Sequence, residues 1–152
     1  MCRMQMELDY LYRDAMMDLT QIAPAFSFLS GKGLAPTAGD YTPERFGNAE
    51  LLMVGAPFSM RFQRDRGDLF VDAGSTSAGW HKLEYVLEFL DRSITQEQLG
   101  EPPNPDMMAK LLEQKWSDVA DLFVDQRRIS ELHTFSNNKS AALMRRLFPK
   151  RK

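Results

Sequence analysis

The chain of 152 residues contains one cysteine, Cys2, and two histidines, His81 and His133. A single thiol excludes an intramolecular disulfide framework and fits a reducing compartment. Zinc sites take about three or four protein ligands, mostly Cys and His, and the three such residues here are scattered, so neither a metal nor another cofactor is expected. Long apolar runs are also missing. Leu51-Leu52-Met53-Val54 stops far short of the roughly 18 residues of a membrane span, and the N-terminus shows no secretory pattern. A soluble, cytoplasmic protein with no membrane partner is therefore expected. Repeats and low-complexity tracts are absent too, which leaves solenoid and fibrous architectures without support.

What is present is an ordinary globular composition, 43% hydrophobic and 26% charged, in a length suited to a single domain spanning 1–152. The net charge of -2 conceals an uneven distribution. Residues 1–125 hold 11 basic and 20 acidic side chains, a net of -9, whereas residues 126–152 hold 8 basic and one acidic, a net of +7. The arm either packs across the body and neutralises it or offers partners a second, oppositely charged surface. Residues 149–152 read as a flexible basic tail.

Hydrophobic spacing divides the chain into elements. Leu8, Leu11, Tyr12, Ala15, Met16, Leu19 and Ile22 recur with the helical period, and Pro24 closes that N-terminal helix. Ala25 to Leu29 suggests a short strand, and Gly31, Gly33, Pro36, Gly39 and Pro43 then punctuate what reads as a long loop. Glu50 to Val54 is a short strand. Phe58, Met60 and Phe62 alternate with Ser59, Arg61 and Gln63 in the manner of a half-buried strand with its polar face outward. Asp65-Arg66-Gly67 supplies a turn, and Leu69-Phe70-Val71 returns as the partner strand. Gly74 to Gly79 reads as a flexible stretch, and Trp80 to Lys82 as the lead into a helix.

That helix puts Leu83, Val86, Leu87, Phe89 and Leu90 on one side and Glu84, Glu88 and Asp91 on the other, with Tyr85 at the boundary. Asn104-Pro105 is a capping residue followed by proline at the first helical position, and predicts a helix to about Phe123. Its apolar stripe opposes Asp118, Asp121 and Asp125. Residues 126–148 fit one helix or two. The fold class is α+β: an N-terminal helix, a small antiparallel sheet centred on 48–73 with a central hairpin, and a helical C-terminal half packed on the sheet.

Catalytic patterns are weak. Ser75-Thr76-Ser77-Ala78-Gly79 lacks the glycine two residues before the serine that a nucleophile elbow requires. Gly31-Lys32-Gly33 lacks both the spacing and the hydroxyl residue of a phosphate loop. His81, with Asp72 as an orienting partner, is the one acid/base pair worth posing, against a satisfied surface or helix-entry histidine as the plainer role; His133 reads as packed. Arg145-Arg146 and Lys150-Arg151-Lys152 suit phosphates, but no nucleic-acid reading motif accompanies them, and nucleic acid stays an alternative partner.

Two acidic rows remain. Glu84/Glu88 and Asp118/Asp121 are like-charge neighbours that cost helix stability, which solvation or a cationic partner offsets. Trp80 and Tyr85 are suitable anchors beside them. The stretches Phe46-Gly47-Asn48-Ala49, Met60 to Asp72 and Trp80 to Leu90 resemble small bacterial immunity proteins of polymorphic toxin systems. That resemblance implies a noncatalytic inhibitor of a cognate toxin with a basic binding surface. Trp80, Glu84, Tyr85, Glu88, Asp91, Asp118, Asp121 and Asp125 are the candidate contacts.

Overall fold

The computed structural model describes residues 19, 22–42 and 48–149. It is an α+β fold in which one five-stranded antiparallel sheet, in sequential order β1 to β5, carries helices on one face. The N-terminal helix expected from Leu8 onward lies mostly outside the described residues, as do Phe46, Gly47 and the basic end 150–152; Leu19 and Ile22 are helical and buried.

Pro24–Lys32 is a 3-10 helix where the sequence suggested a strand. Proline suits a first helical turn, and the three-residue step brings Phe26 and Leu29 onto one buried side. The expected loop after it is also corrected. Strand β1 (Ala35–Thr42) pairs with β2 (Asn48–Val54), and a register shift between Pro36 and Ala38 absorbs the proline. Proline is tolerated there because β1 is an edge strand and a bulge needs no donor.

Strands β3 (Ser59–Asp65) and β4 (Asp68–Ser75) form the hairpin anticipated at Arg66-Gly67. Both turn residues have positive φ, 53° and 89°, the combination that matches the right-handed twist of a two-residue hairpin. The following segment is not a flexible lead-in. Strand β5 (Gly79–Lys82) folds back on Asp72–Ser75 of β4, and helix α1 (Leu83–Leu90) begins at the next residue.

Cross-strand register sorts the side chains into rows, because successive strand residues face opposite ways. Leu51, Phe62 and Val71 form one inward row; Met53, Met60, Ala73 and His81 form the next, all buried. Helices cover this face: α1, α2 (Gln96–Leu99), α3 (Pro105–Gln114), α4 (Trp116–Leu122) and α5 (Gln126–Leu147).

Asn104 caps α3 as expected, its Oδ1 accepting from the Met107 amide at 3.1 Å. The single helix expected to run to Phe123 is instead two, divided at Lys115. The break turns the Trp116 ring to within 4.8 Å of Phe58 and 6.3 Å of Phe28, and Phe58 also meets Phe123 at 5.3 Å. Such edge and stacked contacts add to the burial of large rings. Residues 126–147 are one helix; no helix among the described residues is long and apolar enough to cross a membrane.

Candidate functional site

Among the described residues, no helix packs across the other face of the sheet. Leu52, Arg61, Asp72 and Lys82 run across it in one row, and Glu50, Gln63 and Phe70 in the next. Arg61 Nη2 donates to Asp72 Oδ2 at 2.8 Å, and the Arg61 guanidinium lies 4.8 Å from the centre of the Trp80 ring. Packing a planar cation between a carboxylate and an indole fixes a long side chain that otherwise wanders. Around this pair Val54, Phe70 and Trp80 are 41%, 46% and 40% exposed. A sheet face with three large apolar side chains in solvent and a rigid ionic centre is suited to receiving another surface.

Continuous with it opens a cavity of about 590 Å³, bounded by Arg61 and Gln63 of β3, by β4, by Lys82 and α1, by the last third of α5 and by the segment 96–103. Charged side chains in its walls are mostly paired: Lys139 Nζ with Glu88 Oε1 at 2.8 Å and Arg146 Nη2 with Glu101 Oε1 at 2.7 Å. Glu84 has no such partner among the described residues, and burial pushes its carboxyl above the usual range, with Lys82 pulling it back.

The eight candidate contacts do not form one platform. Trp80 lies on the open sheet face, whereas Glu84, Tyr85 and Glu88 line the cavity. Asp91 accepts from the Ser93 hydroxyl at 2.6 Å and its amide at 3.0 Å, and sits 3.1 Å from Lys115 Nζ; these contacts hold it down at about 2. Asp125 caps α5 by accepting from the amides of Arg127 and Arg128. Asp118 and Asp121 are exposed on α4. Glu88, Asp91 and Asp125 thus have structural partners inside the molecule.

His81 and Asp72 are not paired. They sit on neighbouring rows that face opposite sides of the sheet: Asp72 binds Arg61, while His81 lies in the core between the Ser136 hydroxyl at 3.0 Å and the Ala78 carbonyl at 2.9 Å. His133 packs its ring edge-on to His81 at 4.6 Å but is itself exposed. Desolvation lowers the His81 pKa, partly countered by the Ala78 carbonyl. No three His, Cys, Asp or Glu side chains among the described residues gather to hold a metal ion.

Sequence reasoning passed over Arg61, Phe70, Val54 and Lys82. Their signal lay in the alternation itself: the polar face of β3 was legible, but which aromatic residues joined it depended on the register of β4 and β5. Comparison with protein-family models, with curated proteins and with solved structures finds no match.

Proposed function

We propose that the protein is a noncatalytic, immunity-type binding module that neutralises a cognate protein toxin through its uncovered sheet face. The observation that supports this reading most directly is the exposure of Phe70, Trp80 and Val54 around the Arg61–Asp72 pair, opposite a face whose rows through Phe62 and Met60 are buried. Tryptophan, aromatic and arginine side chains at the centre of a patch carry most of the energy of a protein interface. The resemblance of residues 60–72 and 80–90 to immunity proteins points to a toxin as the partner, and those residues include Arg61, Phe70, Asp72 and Trp80.

Acidic helix rows contribute less to this reading than the sequence alone suggested, because Glu88 and Asp91 are matched by Lys139 and Lys115. Asp118 and Asp121 stay available to a basic partner at the rim, where charge chiefly speeds encounter. The basic arm is likewise partly engaged, through Lys139 and Arg146, which leaves less of it for phosphates.

The test is capture and protection. The product of the gene adjacent to this protein's own is co-expressed with it, and toxicity and complex formation are measured for the native chain, Trp80→Ala and Phe70→Ala. The native chain protects and binds; each variant keeps its thermal midpoint but loses at least about tenfold in affinity. Absence of binding and protection by the native chain overturns the proposal.

A further inference from the structure

Strand β5 pairs with Asp72–Ser75, so among the described residues the preceding stretch of β4, Asp68–Val71, has β3 on one side and no strand on the other. Leu69, Phe70 and Val71 all line the adjoining cavity. Consecutive strand residues project to opposite faces, so three in succession on one cavity put the strand's edge itself, with its amide and carbonyl groups, at the wall. An unpaired strand edge is a template for another extended chain.

Two charges in the cleft, Glu84 and Lys82, have no ion-paired side chain among the described residues. Glu84 faces it without an ion-paired side chain among the described residues, and the Lys82 ammonium is drawn instead over the Tyr85 ring, 5.4 Å from its centre. With Lys82 held over the Tyr85 ring, the half-buried Glu84 carboxylate is complementary to a cation that arrives with its ligand.

We infer that this cleft receives an extended segment of the partner protein, which adds as a sixth strand along Asp68–Val71 of β4 and sets a lysine or arginine against Glu84. In such strand addition, main-chain hydrogen bonds supply affinity and alternate side-chain pockets supply selectivity. The inference rests on the protein-binding reading given above and specifies which part of the partner enters.

The experiment titrates the full chain with an acetylated, amidated heptapeptide of alternating threonine and valine with a central lysine. Controls are the same peptide with glutamate at the centre and the same peptide N-methylated at alternate backbone nitrogens. Amide hydrogen exchange is followed at residues 69–71. The lysine peptide binds and slows exchange there, the two controls do not bind, and Glu84→Gln weakens binding by about tenfold. Glu84→Gln keeps its fold, because it removes a charge that burial disfavours. No binding of the lysine peptide, equal binding of the N-methylated peptide, or unchanged binding by Glu84→Gln overturns the inference. The two readings separate on the intact partner. Capture that is lost in Trp80→Ala but unchanged in Glu84→Gln removes strand addition and leaves the toxin-binding proposal standing.

Discussion

Gly74 has no side chain because there is no room for one. A Cβ at this position would stand 2.3 Å from the Gly79 carbonyl oxygen and 2.9 Å from the Trp80 ring. The β4 and β5 backbones approach closely there so that the indole can lie over the strand and reach Arg61. Gly74→Ala is expected to cost about 2 kcal/mol through forced strand separation, read as a lower denaturation midpoint, and to shift Trp80 from its contact with Arg61. Asp125 offers a second residue-scale test, because its carboxylate caps α5 through two amides. Asp125→Ala should lose about 1 kcal/mol of stability while leaving partner affinity unchanged. A loss of affinity at constant stability would instead return Asp125 to the interface.

At the scale of elements, α5 is latched to the sheet by His81, which bonds Ser136 of that helix, and to α1 by the Lys139–Glu88 pair. Phe135 adds an aromatic contact with Phe89 at 5.7 Å and lies under the Arg92 guanidinium. Because burial depresses the His81 pKa, the folded chain resists a proton that the unfolded chain accepts near the ordinary value of about 6.5. The stability held by this neutral histidine is complete above that pH and is lost as the pH falls towards the lowered folded value. Denaturation midpoints measured from pH 7.5 to 5 should therefore decline, and His81→Gln should flatten the decline; an equal slope in both chains would remove His81 as its source. Elements governed by local chemistry were legible in the sequence, including the Arg66-Gly67 hairpin, the α1 face and the Asn104-Pro105 start of α3. Those governed by pairing were not. Pro36 and Gly39 signal a loop when read alone, yet an edge position and a bulge admit them to β1, and β2 supplies the pairing.

Across the whole molecule, the acidic body and basic arm meet through Glu88–Lys139 and Glu101–Arg146, pairs separated by about fifty and forty-five positions in sequence. Counting charges along the chain located the two blocks but not their engagement, since neither the turn at Ser93 nor the direction of α5 is encoded in charge. The candidate site was divided in the same way. Trp80, Glu84 and Tyr85 were identifiable as helix-side residues of unusual type, whereas Arg61, Phe70 and Val54 join them only when the strand register stacks the rows. The two tryptophans, finally, stand apart in this architecture, Trp80 in solvent on the open face and Trp116 half-buried at the start of α4 within the aromatic cluster. Their emission therefore reports separate events. A chain retaining only Trp80 brightens or shifts when a visitor settles on the sheet, and one retaining only Trp116 stays silent until the fold itself comes apart.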